Sequence, residues 1–466
     1  LMRSRFIDSL RGLPSGDLPL SSRITGAEAF DGYKVEKVLY ESLPDVHVTA
    51  NLYLPDSATI PTGAVLFAYG HSEKSKHSDE YQAVCQCLVN AGLVVFAVDP
   101  FWQGERLSYF ERSVGRTMVR WGTAEHSYAG LQCWPLGDSI ARYFVYDLVR
   151  AVDYLCTRKD VDRERIGITG NSGGGMQTCL MMICDTRLAA AAPATFLMNR
   201  RTYMYTGIAQ DCEQIWSGMT SWGYDYEDIL MAMAPRPVQV LAVTSDFFPI
   251  EGTRASIART KKFWEMYGIG DCLGLFEDDS IHAYTPPMAR DAARFFSRHL
   301  LWKQASFEDR TVKPVNHNCL FCTSSRQVRG ELPGAKAVYE LNCIRAAELE
   351  RERKQEDAEE RRKKAHAWLY ERVFSNRTSC KPNPRKFASK QVYELDVDAY
   401  VWWSQENLLN YAVFLRHFDF TGKTLPVTVA LWENGTKCIQ SHIRWIRRTC
   451  ASGRAVMILD TSDTGN

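Results

Sequence analysis

The sequence predicts an α/β protein with a mostly parallel, doubly wound sheet and helices on both faces. Over the first 300 residues, short and almost entirely apolar runs alternate with helical patterns, which is typical of strands buried on both faces. In addition, a glycine-rich turn with a central serine lies between one of these runs and a helix. Ligands of such sheets bind at the carboxyl ends of the strands.

The predicted strands and helices alternate along the chain. The strands are residues 63–69, 92–98, 165–169, 188–197, 237–244 and 272–276. The helices are residues 79–90, 139–157, 176–183, 252–267 and 287–301. The helix 139–157 carries Ile140, Phe144, Leu148 and Val152 on one stripe, so we expect this face to pack on the sheet.

Composition narrows the class of protein. The chain has 466 residues, enough for about two to three domains, and a formal net charge of +1. This balance gives no general electrostatic surface for nucleic acid or an anionic membrane. No stretch reaches the ~18 apolar residues of a membrane span. The 14 cysteines have no regular spacing, so we expect reduced thiols in a cytoplasmic protein, although the start at Leu1 leaves a preceding signal open.

Residues 170–174, Gly-Asn-Ser-Gly-Gly, predict a nucleophilic serine. The backbone of a serine at a tight strand-to-helix turn is strained, and the surrounding glycines leave room for the crossing strand and helix. The turn exposes the Ser172 hydroxyl. It also directs the Gly173 amide, in the unpaired first turn of a helix, toward a developing oxyanion. A glycine-rich loop without chemistry is the alternative.

The base that would activate Ser172 is predicted by elimination. In serine hydrolases with this kind of sheet, the partners follow in the order serine, acid, histidine. After Ser172, the first 300 residues contain only His282 and His299. His299 lies within the last predicted helix, whereas His282 lies in a polar loop after the last predicted strand. His282 is therefore predicted as the base.

The acid that would orient His282 is predicted as Asp246, which follows a sheet-like run. It would fix the tautomer of the imidazole and stabilise the imidazolium. Glu251 is the competing residue, and Asp225 or Asp228 is a third choice. A helix N-cap or turn aspartate is the structural alternative for Asp246.

The second oxyanion donor is expected in the loop after the strand 63–69. The backbone amide of Ser72 or of a neighbour is the candidate. His71 in this loop is interpreted as a structural or pocket-wall histidine, because no partner is spaced with it as a metal-ligand set. The sequence therefore predicts neither a metal site nor a cofactor.

With these residues placed, residues 30–305 resemble the α/β-hydrolases of the acetyl xylan esterase-like group, which are related to prolyl-oligopeptidase-type hydrolases. Residues 99–106 (DPFWQGER) resemble their Gly-Gln-Gly loop, residues 234–237 resemble their Ala-Pro-Arg-Pro signature, and residues 125–130 resemble a segment of bacterial members. The resemblance implies ester hydrolysis through an acyl-enzyme, with acetylated sugars as favoured substrates. The chain departs from the group at Gly173 and Ala283, where those deacetylases carry Gln and Glu.

Two insertions, residues 107–135 and 199–229, are rich in aromatic side chains. Flat aromatic faces suit sugar rings or aromatic acyl groups, and a lid packed onto the domain is the equal alternative. The aromatic residues are Tyr109, Phe110, Trp121, Tyr128, Trp134, Tyr203, Tyr205, Trp216, Trp222, Tyr224 and Tyr226.

The sequence thus predicts a serine esterase acting on a small-molecule ester, with acetylated sugars as candidates. A peptidase or amidase of the same fold is one alternative, and a non-catalytic binding module is another. No nucleic-acid or membrane partner is predicted, and homo-oligomerisation is left open.

The last 160 residues differ from the hydrolase segment. Fourteen of the 17 residues 348–364 are charged, with opposite signs four residues apart, which predicts a solvated helix. Residues 425–435, 442–450 and 454–460 repeat the pattern of residues 62–70, 81–88 and 93–99. The predicted segments are an N-terminal segment 1–30, a catalytic domain 31–305, a connecting segment 306–345, a helical linker 346–374, and an incomplete second hydrolase-like domain 375–466 without a nucleophile, cut off by truncation.

Overall fold

The chain forms two compact units in a computed structural model. The model describes residues 1–56, 60–208, 210–303, 312, 315–375 and 377–461. The first unit is Leu1–Arg351 and the second is Glu352–Asn466. The boundaries predicted near residues 30 and 305 lie inside the first unit, and part of the predicted connecting segment 306–345 lies outside the described residues.

A nine-stranded sheet organises the first unit. Its order is β1-β2-β3-β5-β4-β6-β7-β8-β9, with antiparallel pairing from β1 to β3 and between β3 and β5, and parallel pairing across the rest. This arrangement confirms the predicted fold class. The strands are β1 (Arg23–Phe30), β2 (Tyr33–Leu43), β3 (Val46–Pro55), β4 (Thr62–Ala68), β5 (Val94–Val98), β6 (Val161–Asn171), β7 (Leu188–Ala194), β8 (Val238–Ser245) and β9 (Leu273–Ile281).

Helices cover both faces of this sheet. One face is covered by the helices Asp79–Asn90 and Pro286–Phe296. The other is covered by the helices Ala141–Thr157, Gly173–Cys184 and Ile250–Glu265. The helices of the first unit are α1 (Met2–Ser9), α2 (Asp79–Asn90), α3 (Thr123–Cys133), α4 (Ala141–Thr157), α5 (Gly173–Cys184), α6 (Arg200–Tyr205), α7 (Tyr226–Met231), α8 (Ile250–Glu265), α9 (Pro286–Phe296), α10 (Val328–Glu331) and α11 (Val338–Gln355), the last of which runs into the second unit.

A buried lysine holds the loop after β4 to the loop after β5. The Lys76 side chain is fully buried, and its Nζ lies 2.7 Å from Asp99 Oδ2 and 2.5 Å from Glu105 Oε2. Burial by itself would raise the pKa of Asp99, but the Lys76 ammonium outweighs this effect and the pKa is lowered from its ordinary value. The Lys76 ammonium thus supplies the positive charge that compensates two carboxylates buried inside the protein.

Glu105 also joins the segment after the last strand to this cluster. Its two carboxylate oxygens accept hydrogen bonds from the Cys322 and Thr323 amides, each at 2.8 Å. Burial raises the pKa of the Cys322 thiol to about 12, so this thiol is neutral, and all cysteines of the described chain are free. Of the Cys-x-x-Cys pair at residues 319–322, Cys322 is therefore a neutral thiol packed inside the first unit.

Replacing Lys76 with Met is expected to lower the free energy of unfolding by about 3 to 5 kcal/mol, because two buried carboxylates lose their counter-charge. Chemical denaturation of the full chain would measure the loss. A second replacement, Asp99→Asn, should recover part of it by removing one unpaired charge. Lys74→Met, at an exposed lysine of the same loop, is the matched control. Equal stability of the Lys76 and Lys74 variants would contradict the pairing.

The second unit contains a helix and a separate five-stranded sheet. The helix α12 (Ala358–Leu369) begins after Asp357. The Asp357 side chain accepts hydrogen bonds from two amides in the first turn of α12, so a new helix starts here after the end of α11. The sheet has the order β10-β11-β12-β14-β13. Its strands and the helix on it are β10 (Arg385–Val392), β11 (Leu395–Gln405), β12 (Leu408–His417), β13 (Val427–Ala430), α13 (Ile439–Ala451) and β14 (Ala455–Asp460).

This sheet repeats the first five strands of the large sheet in order and direction. Both have three antiparallel pairings followed by one parallel pairing. Asp99, after β5, accepts the Lys76 amide at 3.4 Å, and Asp460, at the end of β14, accepts the Thr436 amide at 2.6 Å. We propose that residues 375–466 are a partial second copy of the hydrolase domain. No helix among the described residues is both long and apolar enough to span a membrane.

Candidate active site

Ser172 lies alone in the turn between β6 and α5. Its φ of 57° and ψ of −117° place a non-glycine residue in a strained region of the backbone. The Ser172 amide donates to Ala194 O at 3.0 Å and is within 3.1 Å of Thr195 Oγ1, so the end of β7 fixes the turn. The side chain is half-buried at the carboxyl edge of the sheet.

Two glycines allow this turn to form against the neighbouring strand. A Cβ atom at Gly174 would lie 2.1 Å from the carbonyl oxygen of Ala68, and one at Gly170 would lie 2.4 Å from the same atom. Neither position has room for a side chain, because backbone atoms cannot yield in the way that a flexible side chain can. The glycines of the motif therefore serve the close crossing of β4, β6 and α5.

His282 and Asp246 meet at the same edge of the sheet. His282 directly follows β9, which ends five residues later than predicted, and Asp246 directly follows β8. The His282 Nδ1 lies 2.8 Å from Asp246 Oδ1, and the Asp246 side chain is 3% exposed. The amide of Phe248 donates to the same oxygen at 3.1 Å. This pairing favours a proton on Nδ1 and leaves Nε2 free to act as a base.

Glu251, the competing acid, lies elsewhere. It is exposed in the first turn of α8, and no bond to His282 is found for it among the described residues. His282 instead lies against two aromatic rings that follow Asp246 in sequence. The ring centroid of Phe247 is 4.3 Å from that of His282, and the centroid of Phe248 is 5.9 Å away. These rings restrict the orientation of the imidazole.

The predicted oxyanion donor Ser72 is already occupied. Its amide donates to Gln103 Oε1 at 2.6 Å, so it is not free for an oxyanion. The neighbouring His71 amide has no acceptor among the described residues. It follows Gly70, at which a Cβ would lie 3.2 Å from the Ser172 Cβ. In this loop the His71 amide, and not the Ser72 amide, is therefore available as a donor, and Gly173 is the first residue of α5.

Gln103 holds this loop in place from the loop after β5. Besides accepting from Ser72, it donates through Nε2 to the Gly70 carbonyl at 3.0 Å. The residue is 2% exposed. A buried primary amide that both donates and accepts fixes two backbone groups in a single geometry. The sequence indicated residues 99–106 only through the family resemblance, since this pairing joins loops distant in sequence.

His71 is not isolated in the structure, although no partner is spaced with it in the sequence. His126 of α3 lies beside it, together with Asp211 and Glu213 of a turn in the second insertion. Burial and the neighbouring His126 lower the pKa of His71 to about 4. Burial, reinforced by Asp211, raises the pKa of Glu213 well above its ordinary value. No sequence spacing could reveal this cluster, because its members come from three separate segments.

The aromatic insertions divide between core and surface. Trp216 is buried and packs edge-on against Phe6 of α1, with ring centroids 5.1 Å apart. Tyr203 and Tyr226 are also buried. These residues serve as packing, as the lid interpretation predicts. Three others remain exposed: Tyr128, Trp134 and Tyr205.

Comparison with known proteins agrees with this architecture. Residues 140–248, which include Ser172 and Asp246, match the prolyl oligopeptidase family. The protein named "Putative hydrolase YtaP" from Bacillus subtilis (strain 168) is 23% identical over 301 residues, covering 61% of this chain and 96% of that protein.

Two solved structures show the same fold. The methylesterase BT1017 has a TM-score of 0.57 at 21% identity, covering 75% of this chain and 74% of its own. A glucuronoyl esterase from Solibacter usitatus has a TM-score of 0.50 at 17% identity, covering 64% of this chain and 91% of its own. The chain thus has the α/β-hydrolase fold, and its central segment is similar to the prolyl oligopeptidase family.

Proposed function

We propose that this protein is a serine esterase that cleaves carboxylic esters through an acyl-enzyme. The observation that carries the proposal is the His282–Asp246 pair at the sheet edge where the strained Ser172 turn ends. The three residues follow strands β6, β8 and β9, whose carboxyl ends lie along one edge of a parallel sheet. A nucleophile, a base and an orienting acid in this chain order are the parts that acyl transfer requires.

The reaction would proceed in two halves. The Ser172 hydroxyl attacks the ester carbonyl while His282 Nε2 takes its proton, and the Gly173 and His71 amides stabilise the oxyanion. Collapse of the tetrahedral intermediate breaks the ester bond, and His282 returns the proton to the leaving alcohol. Water then attacks the acyl-enzyme and gives a proton to His282. Collapse of this second intermediate releases the acid, and His282 returns the proton to the Ser172 oxygen.

Acetyl esters of carbohydrates are the proposed substrates. The resemblance of residues 99–106 and 234–237 to acetyl xylan esterase-like enzymes supports this choice. Two structural neighbours are, by their names, a methylesterase and a glucuronoyl esterase. Esters in which the sugar supplies the carboxyl group, and not the hydroxyl group, are therefore the competing class.

A substrate panel tests the proposal. The full chain would be assayed with p-nitrophenyl acetate, acetylated xylose, methyl glucuronate and a peptide p-nitroanilide. We expect the acetyl esters to be turned over fastest. Preference for methyl glucuronate would overturn the acetyl assignment, and exclusive cleavage of the anilide would favour the peptidase alternative. A folded chain that cleaves none of them would favour the binding module.

Replacing Gln103 with Leu is expected to lower kcat by about 10- to 100-fold with little change in KM. The variant releases the loop that carries the proposed His71 donor, and loss of one oxyanion donor costs roughly 10²- to 10³-fold. Gln355→Leu, at an exposed glutamine of α11, is the control. A Gln103 variant that loses stability but keeps its kcat would show that the residue serves folding alone.

A further inference from the structure

Four metal-ligating side chains converge beside the first residue of α5. They are His71, His126, Asp211 and Glu213, and one ligand atom from each lies within 4.8 Å of every other. Three of them are at least nine-tenths buried, and His71 is 22% exposed. We propose that they form a binding site for one divalent transition-metal ion, with Zn²⁺ as the first choice.

The distances suit a shared ion. His71 Nε2 lies 3.2 Å from His126 Nδ1, 3.6 Å from Asp211 Oδ2 and 3.7 Å from Glu213 Oε1. A tetrahedral ion with bonds of about 2.1 Å separates its ligands by roughly 3.4 Å, so small side-chain movements would bring all four to bonding distance. Two imidazoles and two carboxylates form a donor set typical of zinc and its first-row neighbours.

Glu213 gives an independent indication that a ligand is needed. Its side chain is 1% exposed, and neither carboxylate oxygen has a hydrogen-bond partner among the described residues. Burying a carboxylate without a partner is costly, and a bound cation removes this cost. The alternative is a Glu213 that stays protonated and neutral, which the experiment below distinguishes.

The ion would connect three segments next to the catalytic turn. His71 belongs to the loop after β4, His126 to α3, and the two carboxylates to the turn around Cys212–Gln214. A Cβ at Gly173 would lie 2.8 Å from Glu213 Oε1 and 3.1 Å from His71 Nδ1, so the site packs directly on the start of α5. If the proposed function holds, the ion also anchors the residue whose amide completes the oxyanion hole.

Metal content and binding test the site without an activity assay. The full chain, stripped with a chelator and dialysed, would be titrated with Zn²⁺ in a calorimeter and with Co²⁺ in a visible spectrophotometer. We expect about one ion per chain, with Co²⁺ bands of a low-coordinate nitrogen and oxygen site. Glu213→Gln and His126→Gln should weaken Zn²⁺ binding by at least about 100-fold. Glu251→Gln and His299→Gln are the matched controls.

Three results would overturn the site. They are a folded chain that binds no Zn²⁺ at millimolar concentration, Zn²⁺ binding that is equal in the cluster variants and the controls, and a Glu213→Gln thermal midpoint that matches the wild type both with and without Zn²⁺. The last result would identify Glu213 as a protonated buried acid. Zn²⁺ binding is expected to persist in Ser172→Ala, so loss of the esterase assignment and loss of the metal site are separate outcomes.

Discussion

Replacing Ser172 with Ala is expected to lower kcat for p-nitrophenyl acetate by on the order of 10⁴-fold or more. The hydroxyl is the only group that the proposed mechanism allows to form the acyl-enzyme. Its backbone is held by hydrogen bonds of the Ser172 amide to the end of β7, which alanine retains. The folded structure should therefore survive while the chemistry is lost.

A covalent probe sharpens this test. A fluorophosphonate should label the wild type at Ser172 and leave Ser172→Ala unlabelled. Ser221→Ala, at an exposed serine of the second insertion, is the matched control and should keep both rate and labelling. Unchanged hydrolysis by Ser172→Ala would mean that the nucleophile lies elsewhere.

Replacing Asp246 with Asn is expected to lower kcat by on the order of 10⁴-fold with the fold intact. The carboxylate accepts from His282 Nδ1 at 2.8 Å and from the Phe248 amide at 3.1 Å. An asparagine amide group facing Nδ1 would favour the tautomer with its proton on Nε2, which cannot accept the serine proton. The imidazolium would also lose the counter-charge of a carboxylate that is only 3% exposed.

Glu251→Gln is the control that decides the acid. Because Glu251 is exposed on α8, we expect its rate to stay within about twofold of the wild type, as for most surface changes. Thermal unfolding of both variants would show whether either effect reflects loss of structure. A crippled Glu251→Gln beside an active Asp246→Asn would reverse the assignment.

The parallel part of the sheet was predictable because its strands are nearly pure apolar runs. The six predicted strands all occur, and the strand-to-helix turn at Ser172 is recognisable in the sequence by its glycines, two of which leave no room for Cβ atoms. The three antiparallel strands β1, β2 and β3 were missed, because polar residues interrupt the apolar pattern, as Glu36 and Lys37 do in β2. Burial itself does not separate these strands from the others, because β2 and β3 are largely buried and only the edge strand β1 is mostly exposed.

The parts of the site that escaped prediction depend on contacts between distant segments. Gln103 occupies the Ser72 amide, and nothing in either segment alone indicates this bond. The partners of His71 come from two insertions whose path over the sheet edge the sequence does not specify. The proximity of Asp246 and His282 could be predicted, because strand order in a parallel sheet brings consecutive carboxyl ends together.

The buried cluster around Lys76 has a consequence for how the protein is made. Glu105 accepts hydrogen bonds from the amides of Cys322 and Thr323, which follow it in sequence by 217 and 218 residues. At a synthesis rate of 5 to 20 residues per second, about 10 to 40 s separate the emergence of the carboxylate from that of its last donors. During this interval the Glu105 carboxylate lacks these two hydrogen-bond donors. The hydrogen bonding of Glu105 seen in the folded chain can therefore be completed only after a segment beyond the last strand of the large sheet has been synthesised.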